Sequence, residues 1–176
     1  KKLKFKLQGI DKMPQNLTAI IGGTGLGDAL AKQIKNPKSH QINTPFGKTS
    51  GPILIGQIGS QNVAFINRHG PGHKLSPSDV PYAANLYALK TLGVRCIIAS
   101  GAVGSLRENI HPTQPVIVAQ FIDKSFRRQS SFFAGTAAAH CELADPTCSR
   151  LSSKILSAAK DIDIKTHPKG TYVCME

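Results

Sequence analysis

The chain has 176 residues, of which 40% are hydrophobic, and a formal net charge of +12. This length and composition are typical of one folded domain and exclude an intrinsically disordered chain. No apolar run approaches the roughly 20 residues of a membrane span, and no apolar segment follows the basic N-terminus as in a secretory signal. Residues 1–74 hold eleven basic and two acidic residues. They lack the interleaved aromatics of single-strand nucleic-acid binders, so we expect no nucleic-acid partner, while a field attracting small anions stays open.

Short apolar segments alternate with two longer amphipathic ones. β-Branched runs bounded by Gly and Pro predict strands, and apolar residues at helical spacing predict helices. In chain order, we predict strands at 17–22, 52–58 and 62–67, a helix within 76–93, strands at 95–100 and 115–122, a helix within 145–162 and a strand at 170–175.

Several predicted strands are apolar at successive positions, as in 62–67, which is typical of strands covered on both faces. Strands alternating with helices indicate an α/β fold with a largely parallel or mixed sheet. For the helix within 76–93, Ser78 or Asp79 is the expected cap, and Pro81 suits the first turn. We expect a single domain over 1–176. The chain lacks an initiator Met and stops within a predicted strand, so we also expect it to be incomplete.

The cysteine pattern argues against a metal or redox centre. Cys96, Cys141, Cys148 and Cys174 form no CxxC pair, so a zinc knuckle is not expected. Without a signal peptide, reduced thiols in the cytoplasm are the expectation, and a disulfide between Cys141 and Cys148 stays open.

In the segment "IIGGTGLGD" (20–28), an apolar run is followed directly by glycines. A dinucleotide fingerprint needs GxGxxG, but the third glycine position falls on Asp28, and no Lys-Ser or Lys-Thr completes a Walker loop. What remains is a turn of exposed backbone N–H groups with the hydroxyl of Thr24. Such a turn either holds an anion or is simply a tight corner.

Two further polar segments also follow predicted strands. Arg68 and His69 come after the strand at 62–67, and the small residues of "SGAVGSL" (100–106) come after the strand at 95–100. An Arg fork and a His suit phosphate, although a solvated basic loop has the same composition. A metal pair of His69 with His73 is not expected, because the Gly-Pro-Gly between them forbids a helix. Ligands of open α/β sheets bind at the carboxyl ends of strands, so these segments can share one site.

Eight segments occur in the order and with the spacing of one enzyme family. Together they resemble the purine nucleoside phosphorylase family, and most closely its 5′-methylthioadenosine phosphorylase branch, which "RHG" and "FID" favour. The segments are "IIGGTGLGD" (20–28), "TPFG" (44–47), "RHGPGH" (68–73), "SPSDVPYAANLYALKTLG" (76–93), "GAVGSLRENIHP" (101–112), "QFIDKSFRRQSSFF" (120–133), "HCELADPTC" (140–148) and "GTYVCME" (170–176).

The resemblance implies an α/β fold with a mixed, partly closed central sheet flanked by helices. It implies phosphorolysis of a purine nucleoside, most closely 5′-methylthioadenosine, to the free base and a (methylthio)ribose 1-phosphate. Inorganic phosphate is then a co-substrate, and no metal or organic cofactor takes part. The expected assembly is a homotrimer or a dimer of trimers.

The resemblance also implies roles for individual residues. Phosphate binding falls to Thr24, Arg68, His69, Gly101 and Ala102. The substrate is contacted by Ala102, Val103 and, from a neighbouring subunit, His140. No single residue is assigned as catalytic.

Two positions depart from the family pattern. Gly101 stands where Thr or Ser is common, so a hydrogen bond to phosphate worth roughly 1.5–3 kcal/mol is lost, unless Ser100 substitutes for it. Ala83 stands where a larger polar residue is often found.

The family segments that read the base and complete the phosphate site lie beyond Glu176. Alternatives therefore stay open: phosphorolysis of inosine, guanosine, adenosine or methylthioinosine, hydrolysis of the same nucleosides, or a non-catalytic phosphate-binding remnant.

Overall fold

A computed structural model describes residue 14, residues 16–23 and residues 26–176. The chain divides into two compact units, Lys1–Ala102 and Val103–Glu176. The elements of the first unit are, in chain order, β1 (Thr18–Gly22), α1 (Leu26–Gln33), β2 (Lys35–His40), β3 (Asn43–Thr44), β4 (Gly47–Lys48), β5 (Ile53–Ile58), β6 (Gln61–Asn67), α2 (Tyr82–Thr91) and β7 (Cys96–Ala99).

The first unit is built on a five-stranded mixed sheet with the order β2-β5-β6-β1-β7. Strand β1 lies between β6 and β7 and runs parallel to both. Strand β5 pairs antiparallel with β2 and β6, while β3 and β4 form a separate antiparallel pair. The expected α/β fold with a mixed central sheet is confirmed, and the carboxyl ends of β6, β1 and β7 lie side by side.

Apolar clusters cover both faces of this sheet, which explains the uninterrupted apolar runs of its strands. In β6, Ala64 and Ile66 belong to a cluster that includes Leu89 of α2. Val63 and Phe65 belong to a second cluster, against which residues of α1 pack. Because neighbouring side chains of a strand point to opposite faces, each face buries alternate residues.

Helix α2 begins later than the capping signals predict. Pro81, not Ser78 or Asp79, is the residue before its first turn, and no side chain caps the helix. Asp79 instead closes a turn with Ser76: its backbone N–H donates to the Ser76 carbonyl at 3.0 Å, and its carboxylate accepts from the Ser76 hydroxyl at 2.5 Å. The local turn competes for the capping side chain, so the prediction of a cap at Ser78 or Asp79 was wrong.

The second unit contains β8 (Val116–Lys124), α3 (Ser149–Asp161) and β9 (His167–Met175), and β8 pairs parallel with β9. After β8 the chain is fixed to the end of β9. The backbone N–H groups of Phe126 and Arg127 donate to the Glu176 carboxylate at 2.8 and 2.7 Å. Arg128 adds an ion pair of 3.3 Å to the same carboxylate.

The four cysteines form no disulfide, so the alternative of a Cys141–Cys148 bridge is not realised in this structure. Among the described residues, no helix is long and apolar enough to cross a bilayer. The single-domain expectation over 1–176 stays a prediction.

Candidate phosphate site

Three loops leave the sheet at the same edge of the first unit. Gly23 follows β1, Arg68 and His69 follow β6, and Ser100 and Gly101 follow β7. Because β1 is parallel to β6 and β7, these residues emerge side by side. The arrangement matches the rule that ligands of α/β sheets sit beyond the carboxyl ends of the strands.

Arg68 is the centre of this group. Its backbone N–H donates to the Gly22 carbonyl at 3.1 Å, which extends the pairing of β6 with β1 by one residue. Its guanidinium Nη1 donates to the Ser100 carbonyl at 2.5 Å, and its Nε donates to Nε2 of His69 at 3.1 Å. Arg68 is therefore bonded at all three strand ends, through its backbone to the end of β1 and through its side chain to residues that follow β6 and β7.

The guanidinium lies directly on the backbone of Gly23. A Cβ placed on Gly23 would come 2.7 Å from Nη2 of Arg68, 2.9 Å from its Nη1 and 2.7 Å from the Ser100 carbonyl oxygen. Real Cβ atoms do not approach other atoms that closely. Gly23 is thus required for close approach, one of the uses that proteins make of glycine.

His69 is buried, with 5% of its surface exposed. Its Nδ1 lies 2.9 Å from the Leu75 carbonyl oxygen, and its ring packs on that of His73 with 4.3 Å between centroids. Its backbone N–H donates to Oδ1 of Asn67 at 3.2 Å. His69 is therefore held in place by Asn67 at the end of β6 and by Leu75 and His73 in the loop that follows.

Gly101 also lies beside the guanidinium, but there is room for a Cβ atom at this position. A Cβ there would lie 3.4 Å from Nη2 and 3.7 Å from Nη1 of Arg68, which is ordinary van der Waals contact. The neighbouring Ser100 hydroxyl is buried and has no hydrogen-bond partner among the described residues. A side chain at position 101 would therefore stand beside Arg68, and the substitution of the Ser100 hydroxyl for the family's missing one stays a prediction.

Arg68 has no carboxylate partner among the side chains that the structure describes. The one ion pair recorded there joins Arg128 to Glu176. The guanidinium has five N–H donors, of which Ser100 and His69 take two. A partly buried cation with unused donors is suited to binding a phosphate.

The other predicted site residues have different placements. Thr24 lies outside the described residues. Ala102 follows Gly101 and is exposed. Val103 and His140 belong to the second unit, where both are exposed. Their predicted roles, like those of Arg68, His69 and Gly101 towards phosphate, stay predictions.

Among the described residues, no group of three or more His, Cys, Asp or Glu side chains could hold a metal ion. The residue types at this edge of the sheet are donors for an anion instead.

Gly23 and Asn67 were not predicted as parts of the site. The "GG" of the first turn signals a tight backbone approach, but nothing in the sequence shows that its partner is a side chain 45 positions later. Asn67 ends β6 and reads as the last residue of a strand. Only the structure shows its amide oxygen accepting from the backbone of His69.

In the comparison with protein families, the profile of the phosphorylase superfamily matches residues 18–176 of the chain. The chain belongs to the phosphorylase superfamily. Its curated relatives include the S-methyl-5′-thioadenosine phosphorylase of Hyperthermus butylicus, 45% identical over 158 residues, which are 90% of this chain and 57% of the relative. The corresponding enzyme of Gloeobacter violaceus is 40% identical over 167 residues, with 93% of this chain and 55% of the relative covered.

Solved structures agree with this assignment. A methylthioadenosine phosphorylase from an Antarctic soil metagenomic library superposes with a TM-score of 0.85 at 44% identity, covering 94% of this chain and 57% of that one. A variant of adenosine/methylthioadenosine phosphorylase from Schistosoma mansoni, in complex with methylthioadenosine, gives a TM-score of 0.86 at 32% identity, covering 92% and 63%. This phosphorylase-superfamily chain thus spans little more than half the length of its relatives.

Proposed function

We propose that the protein is a phosphorolytic enzyme acting on 5′-methylthioadenosine, which it splits into adenine and 5-methylthioribose 1-phosphate. The observation that carries the proposal is the placement of Arg68. Its guanidinium is held by hydrogen bonds where neighbouring parallel strands end, and it has no carboxylate partner among the described residues. The named relatives, all S-methyl-5′-thioadenosine phosphorylases, support the choice of nucleoside.

In this proposal, phosphate is both nucleophile and counter-charge. It attacks C1′ of the ribose as the bond to the purine nitrogen breaks, and the sugar passes through an oxocarbenium-like state. Arg68 holds the phosphate in line, and the dianion stabilises the positive charge that develops on the sugar. Positioning and electrostatics then supply the catalysis, and no metal or organic cofactor is needed.

The remaining roles are part of the same proposal. Ala102 and Val103 lie beside the sugar and base, and His140 reaches the 5′ substituent of a neighbouring subunit's substrate in a homotrimer or dimer of trimers. The exposure of His140 supports a role towards another subunit. Reduced cysteines support a cytoplasmic setting. Analytical ultracentrifugation tests the assembly: a monomer would refute the shared His140.

The decisive assay measures adenine release from 5′-methylthioadenosine by the protein at its full natural length, with and without inorganic phosphate. We expect release only with phosphate, together with a sugar 1-phosphate. Equal rates without phosphate would show a hydrolase, and the same assay on inosine, guanosine, adenosine and methylthioinosine would reveal another nucleoside preference. Nucleoside binding with no turnover would identify a non-catalytic protein.

The variant Arg68→Ala tests whether the guanidinium of Arg68 binds phosphate. Loss of a charged hydrogen-bonding group is expected to raise the KM for phosphate by about 10- to 100-fold or more. Arg95→Ala is the matched control, because it removes the same charge from an exposed residue that precedes β7, at the opposite end of the strand. An equal loss in both variants would contradict a specific site at Arg68.

A further inference from the structure

The residues from Asn67 to Gly70 form a β-turn that has Arg68 and His69 at its two central positions. The Gly70 N–H donates to the Asn67 carbonyl oxygen at 3.0 Å and closes the turn. The side-chain oxygen Oδ1 of Asn67 accepts from the His69 N–H at 3.2 Å, a bond by which Asn side chains commonly stabilise turns. Asn67 therefore sets the backbone from which the two side chains proposed to bind phosphate emerge.

A second segment, between β4 and β5, lies against this turn. The Ser50 hydroxyl donates to the same Asn67 carbonyl oxygen at 2.8 Å, so this oxygen accepts two hydrogen bonds and uses both of its lone pairs. The Ser50 carbonyl oxygen lies so close to Gly70 that a Cβ on this glycine would come within 2.7 Å of it. Ser50 thus contacts the first and the last residue of the turn.

Ser50 is itself held by a buried side chain of α2. Its backbone N–H donates to Oδ1 of Asn85 at 2.9 Å, from a position 35 residues earlier in the chain. Asn85 has 2% of its surface exposed, and the other buried residues of α2 are apolar: Ala84, Ala88 and Leu89. Asn is a poor helix former, and burying its amide is costly unless the amide is hydrogen-bonded. Packing alone therefore does not favour Asn at this position.

We propose that Asn85 is a positioning residue for the phosphate site and that it acts through Ser50. The Asn85 amide fixes the Ser50 backbone, and the Ser50 hydroxyl fixes the Asn67 carbonyl. The turn then presents Arg68 and His69 to phosphate in one arrangement. A preorganised turn loses less conformational freedom on binding, so this network raises the affinity for phosphate without a contact between Asn85 and the ligand. This inference rests on the proposed phosphate site at Arg68.

The variant Asn85→Ala tests this role by its effect on phosphate. It removes the acceptor for the Ser50 N–H, and we expect the phosphate KM of the full-length protein to rise about 3- to 10-fold, the factor of one neutral hydrogen bond. The KM for 5′-methylthioadenosine and kcat at saturating phosphate should stay within about twofold of wild type, because only the phosphate side of the site is disturbed. An unchanged phosphate KM would overturn the proposal.

Leu89→Ala is the matched control for a loss of packing in α2. Leu89 is buried one turn after Asn85, and its side chain belongs to the apolar core cluster. This variant should unfold at a lower temperature than wild type, yet its phosphate KM, measured below the unfolding transition, should stay within about twofold of wild type. An equal rise of the phosphate KM in Asn85→Ala and Leu89→Ala would overturn the proposal, because destabilisation of α2 would then be a sufficient cause.

A double-mutant cycle with Ser50→Ala tests the route. Ser50→Ala removes the hydroxyl bond to Asn67 but keeps the backbone N–H, and alone it should raise the phosphate KM about 3- to 10-fold. In this background, Asn85→Ala should raise the KM by less than about twofold more, because the link that it acts through is already lost. Fully multiplicative effects would overturn the route. If Asn85→Ala does not fold, an unchanged phosphate KM in Ser50→Ala overturns the proposal.

Amide hydrogen exchange distinguishes a failure of this inference from a failure of the proposed function. In the phosphate-free protein, Asn85→Ala should speed the exchange of the His69 and Gly70 amides at least about fivefold, while amides within β6 change no more than in Leu89→Ala. Unchanged protection of the two turn amides would overturn the positioning role even in an active enzyme. If the wild type releases no adenine with phosphate present, the proposed function is wrong, and hydrogen exchange still shows whether Asn85 orders the turn.

Discussion

Replacing Gly23 by alanine tests how tightly the site is built. The new Cβ would lie 2.7 Å from both Nη2 of Arg68 and the Ser100 carbonyl oxygen, inside the limit that real Cβ atoms respect. Because the Ser100 oxygen is backbone, the guanidinium must yield. It then loses its bond to Ser100, and a hydrogen bond to a charged group is worth about 1.5–3 kcal/mol. We expect the KM for phosphate to rise roughly 10- to 100-fold.

Gly101→Ala is the matched control, because it adds the same methyl group on the other side of the guanidinium. Its Cβ would lie 3.4 Å from Nη2, which Arg68 tolerates without moving. We expect a phosphate KM within about threefold of wild type, well under the 1.4 kcal/mol of a tenfold change.

The measurement is the initial rate of adenine release at saturating 5′-methylthioadenosine with phosphate varied, alongside thermal unfolding to show that each variant is folded. If Gly23→Ala binds phosphate as well as Gly101→Ala does, the guanidinium does not occupy the place described, and the reasoning fails.

Three other predictions concern single side chains. Gly101→Ser adds a hydroxyl beside Arg68 and should lower the phosphate KM up to about tenfold; steady-state kinetics check this, and an unchanged KM contradicts it. Ser100→Ala removes a buried hydroxyl without a partner among the described residues, so the free energy of unfolding in phosphate-free urea titrations should rise by about 1 kcal/mol; a loss of stability would contradict it. The Ser125 hydroxyl and backbone N–H donate to Asp123 and hold the pKa of its carboxyl below its ordinary value. Because this pKa is depressed by folding, its contribution to stability is present above the unfolded pKa and is lost as pH falls through the folded one. A ¹³C NMR titration should show the pKa of Asp123 rising in Ser125→Ala, and no rise would assign the shift elsewhere.

Part of the fold follows from the sequence because strands such as β6 are covered by apolar clusters on both faces. The run at 62–67 predicts a strand, and β6 occupies Gln61–Asn67 with apolar clusters on either side. The strand predicted at 170–175 is longer in the structure, His167–Met175, and most of its residues are exposed. Short apolar runs rich in β-branched residues and bounded by Gly or Pro are recognised as strands, because a buried helix would need a longer run.

Elements without such runs were missed. Strand β2 reads "KNPKSH" and is almost wholly exposed, so neither composition nor alternation marks it. It exists because β5 offers an edge for pairing, and an edge strand accommodates both its lysines and Pro37. Helix α1 has eight residues, too few for a helical period to stand out after the glycines.

The site was predicted as a set of residues and not as a network. Polar segments after neighbouring strands indicated that Arg68, His69 and Gly101 share one edge of the sheet. That His69 accepts from Arg68 at 3.1 Å, and that the guanidinium lies against Gly23, 45 positions earlier in the chain, depends on the placement of the side chains in three dimensions. Patterns of residue types contain no such distances.

The most direct test of the account is a crystal structure of the full-length protein with inorganic phosphate. We predict one phosphate on the guanidinium of Arg68, with oxygens at about 2.8 Å from its nitrogens, and Nη1 still bonded to the Ser100 carbonyl. Phosphate bound elsewhere, or Arg68 turned away to a carboxylate, would contradict the central claim that this strand-end cation is the phosphate site.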